Sequence, residues 1–465
     1  MKKRESFIKA GALYTVGNVF IRGINFFTIP IFTRLMLPED YGIYSVFMSY
    51  AAIFTIIINL AYHTNLKNAK YDFLEEFENY SATCFHLIYF GFVALLFFGW
   101  CAKLIGIINV SYFLLFFILM ESFSQASVSY YVTYLSIKVQ TASYLFISFL
   151  YSILSLLLSI CFIKISLLGS AAENRILGVV LPNVLVALYI TWFYRKNKNF
   201  RKLKQFFKYG CKISIPLLPH AFAQIILSQF DRLMISKMVS FSSAGIYAFA
   251  ANISSILMIL ALSFDIAWEP WFFNKMDSIE YNLIRKKSTI YLLFFLMLAI
   301  GLVLISPEIV FFLAPKEYKE SIYLAIPLIG AVFFIFMYYL PSGIEYFYKK
   351  TFYISIGTVS AALLNVVLNY FMIKKIGYMA ASYTTEFCYI AYFIFHILIA
   401  IKIIGKEKFC KIFNIIFFIV VIFVFLIVSI IAILFAQNVI IRWSIMIVLC
   451  LPLFIYCIKQ IYKSK

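Results

Sequence analysis

Residues 10–37 read AGALYTVGNVFIRGINFFTIPIFTRLML, an apolar run carrying two arginines, Arg22 and Arg34, and no acid. A helix of about 20 apolar residues crosses a bilayer, so this stretch is a membrane span. An ionised side chain near the bilayer centre costs roughly 2.5–3.5 kcal/mol on insertion scales. A guanidinium at that depth therefore faces a polar interior, and the first question the chain poses is what it does with buried positive charge. The two arginines are twelve residues apart, which turns their faces by roughly 120° on a helix.

The rest of the chain has the same character. Of its 465 residues 64% are hydrophobic, 20% aromatic and only 13% charged, and the mean hydropathy is +0.95. No soluble domain hides that much apolar surface. Apolar runs recur at 10–37, 41–62, 80–100, 105–133, 143–163, 177–194, 212–237, 244–267, 288–313, 322–344, 352–373, 378–401, 411–435 and 439–458. The expectation is an all-α integral membrane protein of about fourteen transmembrane helices. The polar segments between them leave no room for a separate soluble catalytic domain.

The net charge of +20 reads as topology rather than nucleic-acid binding. With the first end cytoplasmic, Lys and Arg on inner segments outnumber those on outer ones by about three to one, as the positive-inside rule requires. That count places Arg175 and Arg442 on outer loops and both termini inside. The opening Met-Lys-Lys-Arg resembles a signal-peptide start, but the apolar run behind it is too long and has no cleavage site, so it reads as an uncleaved first helix. The eight cysteines show no CxxC and no metal spacing and read as core residues.

An internal repeat divides the chain. Phe7-Ile-Lys-Ala-Gly11 is echoed by Phe206-Phe-Lys-Tyr-Gly210, Thr33-Arg34-Leu35-Met36 by Asp231-Arg232-Leu233-Met234, and Gly42-Ile43-Tyr44 by Gly245-Ile246-Tyr247. Six helices separate the copies, so the repeat is parallel, and a substrate site is expected between the halves. The expected organisation is two pseudo-symmetric six-helix bundles around a central cavity. Residues 1–194 form one lobe, 195–211 a basic cytoplasmic linker, 212–401 the second lobe, and 402–465 two additional helices. The linker's Phe200, Phe206, Phe207 and Tyr209 suit either a short helix on the membrane surface or a solvated topogenic loop.

The polar residues inside the spans are the candidate site. Arg22, Arg34 and Arg232 suit an anion, because the guanidinium donates bidentate, charge-assisted hydrogen bonds to phosphate. The bland readings are an ion pair for Arg22, snorkelling for Arg34 and a salt bridge for Asp231 and Arg232. Asp231, Glu121, Glu386 and His220 are candidates for counter-ion or for proton or Na+ coupling. Asn365 and Asn369 share a face of one helix and either hydrogen-bond sugar hydroxyls or join helices. Asp265 and Glu345 fall near cytoplasmic helix ends, where solvation accounts for them. Trp268-Glu-Pro-Trp271 reads as an interfacial anchor.

Together these residues resemble the Wzx-type oligosaccharide flippases, polysaccharide biosynthesis members of the multidrug/oligosaccharidyl-lipid/polysaccharide exporter superfamily. The match is carried by Pro30-Ile-Phe-Thr-Arg34 with Leu37-Pro-Glu-Asp-Tyr-Gly42, by Gly210, Pro216-Leu-Leu-Pro219, Asp231-Arg232 and Ala244-Gly245-Ile-Tyr247, and by Asn365, Asn369, Ile376-Gly377-Tyr378 and Ala380-Ala381. The resemblance implies a carrier in the bacterial inner membrane that moves undecaprenyl-diphosphate-linked repeat units by alternating access, for O-antigen, lipopolysaccharide or capsule. It implies a lipid-linked oligosaccharide substrate, contact with membrane lipids, and a polysaccharide polymerase and chain-length machinery as partners. No cofactor is implied. A multidrug/organic-cation antiporter of the same superfamily is the alternative, kept open by Glu121 and Glu386 and opposed by the arginines. A membrane polymerase or glycosyltransferase is a third reading. No DxD, HExxH, GxSxG or Walker A sequence is present, so the expectation is a non-enzyme driven by an ion gradient, membrane potential or substrate supply.

Overall fold

The computed structural model describes Gly23 and residues 26–106, 111–196, 198 and 200–462. Arg22 lies outside the described residues, as does most of the expected first helix. The end of that helix is present as α1 (Phe26–Leu35), and the described residues contain thirteen helices long and apolar enough to cross a membrane. They correspond to the second through fourteenth expected spans. No strand occurs among the described residues. This is what hydrocarbon dictates, since each helix satisfies its own backbone hydrogen bonds.

The helices start where their sequences say they should. In α2 (Pro38–Asn59) Pro38 opens the first turn and Glu39 and Asp40 face the positive end of the helix dipole. After α3 (Tyr62–Asp72), α4 (Phe77–Leu104), α5 (Tyr112–Ile137) and α6 (Thr141–Ile165) comes α7 (Ala171–Tyr194). Ser170 and Glu173 close a reciprocal capping box on α7. The basic linker forms α8 (Leu203–Ser214), followed by a turn of 3-10 helix and α9 (Leu218–Met238). Between α2 and α3, Leu60 and Ala61 both adopt left-handed backbone with φ of 46° and 56°. Neither residue type favours that conformation.

The chain resolves into two compact units, residues 1–233 and 234–465. In the first, α5 packs against α2 and α7, and α6 lies along α7. Its core is aromatic, with Tyr62, Phe77, Tyr80, Phe85, Tyr130 and Tyr194 buried together. Phe206 anchors α8 in that core against Phe73 and Tyr80. Gly210 gives the Tyr62 ring room to lie on the α8 backbone, while Lys204, Lys208 and Lys212 stay exposed.

The second unit holds α10 (Phe241–Asp277), α11 (Tyr281–Leu313), α12 (Ser321–Phe347), α13 (Phe352–Ile376), α14 (Ala380–Ile404), α15 (Lys406–Ile412), α16 (Ile415–Leu434) and α17 (Val439–Tyr462). At its centre is α12, which packs against α10, α11, α14 and α16. This helix runs unbroken through Pro327 and Pro341. Packing by four neighbours holds it where its own hydrogen bonding is interrupted. Trp268 is buried in the α10 interior against Trp271, Phe272 and Tyr291. It is a core residue, not the interfacial anchor expected.

Candidate functional site

In the first unit Arg34 ends α1 in an exposed position, its Nη1 donating to the Pro30 carbonyl at 2.9 Å. Arg232, half-buried on α9, donates to the side-chain oxygen of Gln229. That same oxygen accepts from Ser49 Oγ on α2 at 3.3 Å. Arg232 is thereby oriented by a short polar chain that ties α9 to α2. Asp231 beside it is buried, and His220, about three turns earlier, is half-buried with no partner for Nδ1.

Glu121 is buried at the middle of α5. Its carboxylate accepts from Asn183 Nδ2 on α7 at 3.0 and 3.1 Å and from Gln125 Nε2 at 3.0 Å. Ser155 on α6 and Thr55 on α2 extend the network through those amides. Among the described residues no cation lies at ion-pair distance from Glu121. Amide donors, rather than an arginine, compensate it.

Among the described residues of this unit, the buried arginine is one that the sequence places on an outer loop. Arg175 sits within α7 and is 8% exposed. Its guanidinium lies 3.8 Å from the Phe32 ring and 3.8 Å from the Tyr44 ring, sandwiched between α1 and α2. Tyr41 adds a third face at 5.1 Å. Met36 Sδ is 3.5 Å from Nη1, and Nε has no partner. Aromatic faces attract a cation through their quadrupoles, and here they replace a carboxylate. The contact pins the start of α7 to the α1–α2 corner, where the Ala172 amide also donates to Asp40 at 3.2 Å.

In the second unit Glu386 projects from α14 toward the α12 backbone at Gly330, with Phe425 of α16 beside the same glycine. Its Oε1 is buried without a partner. Asn365 and Asn369 are fully buried between α13 and α14. Asn365 donates to Thr385 at 3.1 Å and Asn369 to Asn365 at 3.1 Å, while Thr384 donates to Asn369. These bonds tie α13 to α14.

Two expectations require correction here. Glu345 is not a solvated helix end: it and His396 are both 0% exposed, and Oε1 meets His396 Nδ1 at 2.5 Å. Arg442 is not an outer-loop charge: it lies within α17, 1% exposed, and binds Glu308 on α11 at 2.6 and 2.8 Å. Each expectation came from nearness to a helix end, and in each case a partner on another helix decided the burial. No sequence signal on either residue's own helix announces that partner.

A recess of about 540 Å³ opens among α10, α11 and α17, lined by Leu257, Leu260, Gly301, Met446, Cys450 and Phe454 among others. It offers nothing to hold a charged headgroup. No group of three or more metal-ligating side chains occurs among the described residues.

With this geometry in view, the likenesses to known proteins are informative. The chain is 24% identical over 347 residues to an uncharacterized membrane protein of Haemophilus influenzae, covering 73% of this chain and 81% of that one. In fold it is similar to the Lipid II flippase MurJ in an inward closed conformation, with a TM-score of 0.69, 16% identity and coverage of 97% of this chain and 99% of that one. It is also similar to an inward-facing multidrug resistance MATE family transporter of the MOP superfamily, with a TM-score of 0.57, 12% identity and coverage of 83% and 94%. Residues 7–276, more than half of the chain, match the polysaccharide biosynthesis protein family, and this multi-pass inner-membrane protein belongs to that family.

Proposed function

We propose that the chain is a flippase that carries undecaprenyl-diphosphate-linked oligosaccharide repeat units across the inner membrane by alternating access. The observation that carries this reading is the likeness in fold to a Lipid II flippase over nearly the whole of both chains, in a member of a polysaccharide biosynthesis family. The substrate's diphosphate bears about two negative charges and cannot cross hydrocarbon uncompensated. Arg232, oriented by Gln229 and Ser49, and the exposed Arg34 supply planar donor forks of the kind that diphosphate oxygens accept. Arg22 belongs to the same proposal on sequence grounds. Arg175 does not, because its guanidinium faces are covered by Phe32 and Tyr44.

The repeated six-helix halves are proposed as residues 1–194 and 212–401, so that α9 opens the second half, with α16 and α17 added after it and both termini in the cytoplasm. The test uses proteoliposomes containing a fluorescent undecaprenyl-diphosphate-linked disaccharide and a quencher confined outside. Wild-type protein should expose inner-leaflet probe with time. Arg232→Ala should slow this at least about tenfold, and Arg232→Lys less, because lysine keeps charge but not the fork. No movement of the probe by wild-type protein overturns the proposal.

A second reading is an organic-cation antiporter, favoured by the unpartnered Glu386 carboxylate and by the absence of a cation beside Glu121 among the described residues. Export of ethidium by the same vesicles, with the lipid probe stationary, would select it.

A further inference from the structure

We infer that Glu345 and His396 form a proton-binding site in the second unit, through which transport is coupled to a proton gradient. This rests on the flippase reading for what is transported and on the geometry of the pair for the proton.

The pair spans α12 and α14, with both side chains 0% exposed and Oε1 to Nδ1 at 2.5 Å. A buried ion pair kept for stability alone satisfies its remaining polar atoms. Here Glu345 Oε2 and His396 Nε2 are both buried and both without partners. The surrounding surface is aromatic. Tyr338 stacks on the imidazole at 5.4 Å, Tyr392 meets it edge-on at 4.4 Å and Phe395 at 5.4 Å. Thr358 of α13 bonds the Tyr392 hydroxyl at 2.9 Å.

The two open atoms account for a single proton. With Nδ1–H donating to Oε1, the pair as carboxylate and neutral imidazole carries one negative charge. An added proton enters at the Nε2 lone pair, giving imidazolium and carboxylate, or at Oε2, giving carboxylic acid and imidazole. Either product is neutral. A neutral pair is cheaper to enclose in a low-dielectric interior than a charged one. Sealing the site thus favours the loaded form and opening it releases the proton.

The groups facing the pair favour cation entry. From α10, Asp265 and Glu269 act electrostatically on Tyr346, which also feels Glu345. Tyr346 follows Glu345 on α12 and is 43% exposed. Asp265 and Tyr392 act electrostatically on Tyr339 of α12, and Tyr389 on α14 acts on Tyr338. Nearby lysines are engaged elsewhere: Lys402 lies over Tyr353, and Lys408 donates to Tyr348 at 2.9 Å. Among the described residues no Lys or Arg lies at ion-pair distance from Glu345. The charged groups that act on the tyrosines around the pair are therefore acids, with no Lys or Arg at ion-pair distance among the described residues to repel the proton.

The test begins with full-length protein in nanodiscs, titrated while carboxyl and imidazole bands are followed by infrared difference spectroscopy. The wild type should bind one proton, in bands absent from Glu345→Gln and His396→Gln. In proteoliposomes carrying the fluorescent lipid-linked disaccharide, an imposed pH gradient should accelerate flipping by wild-type protein, and the ratio of rates with and without the gradient should fall to about one in both variants. Absence of the titration in wild-type protein overturns the inference, and so does an undiminished gradient response in Glu345→Gln. A pair that titrates in protein unable to move the probe supports the proton site and overturns the flippase reading. Flipping indifferent to pH and to both variants does the reverse. Should His396→Gln fail to fold, Glu345→Gln and the wild-type titration still decide.

Discussion

Arg442 on α17 grips Glu308 on α11 through both terminal nitrogens, at 2.6 and 2.8 Å, and the adjacent Trp443 indole donates to the same carboxylate at 3.1 Å. Arg442 also donates to the Leu304 carbonyl. The last helix is therefore held by a charged clamp as well as by apolar packing. Arg442→Met removes the cation and leaves a half-buried carboxylate behind. Breaking a buried pair costs about 3–5 kcal/mol, and the partial exposure of Glu308 puts this one at the low end. A scanning fluorescence melt in detergent should show a lower Tm for Arg442→Met, and Arg442→Met/Glu308→Leu should recover much of it. Equal melting of all three proteins would remove the clamp from the account.

The Arg175 sandwich makes a different demand. Its partners are aromatic faces, so Tyr44→Phe should cost less than about 1 kcal/mol, whereas Tyr44→Leu and Phe32→Leu should each cost about 1–2 kcal/mol. Arg175→Lys should be worse than charge conservation suggests, because an ammonium lacks the flat faces two rings stack on. Chemical denaturation of the full chain in mild detergent ranks the four variants. A ranking with Arg175→Lys as the mildest would mean that charge, not stacking, holds the corner.

Gly330 and Glu386 form a size-matched pair. A methyl at Gly330 would overlap the Glu386 carboxylate and approach Phe425 at 3.1 Å. Gly330→Ala alone should destabilise by about 1–3 kcal/mol. The double variant Gly330→Ala/Glu386→Ala should regain part of that loss, because truncation vacates the space the methyl needs. A double-mutant cycle with no coupling energy would show that the contact does not matter.

Gly178 poses the stricter case. A methyl there meets the backbone of Ser159 on α6, where Ser159 Oγ also donates to the Arg175 carbonyl at 3.3 Å. Small residues let spanning helices approach this closely. Gly178→Ala should lower stability by at least about 1–3 kcal/mol, and Ser159→Ala should give no relief, since the clash is with main chain. Rescue by Ser159→Ala, read in the same melt, would count against the close crossing of α6 and α7.

Hydropathy made the architecture legible. Each spanning helix satisfies its own backbone and meets hydrocarbon along its own length, so the thirteen spans among the described residues are local properties that a linear reading captures. The charged interior was read less well. Glu345 sits near a helix end, and only the arrival of His396 from α14 buries it. Arg175 and Arg442 look like loop charges until Phe32, Tyr44 and Glu308 close on them. The left-handed turn at Leu60 and Ala61 is written in residues that carry no turn signal. These features depend on which helices become neighbours, a choice made by packing between segments dozens to more than a hundred residues apart. Solvation of a lone helix is encoded along the chain, whereas the partner of a buried charge exists only once distant helices have come together.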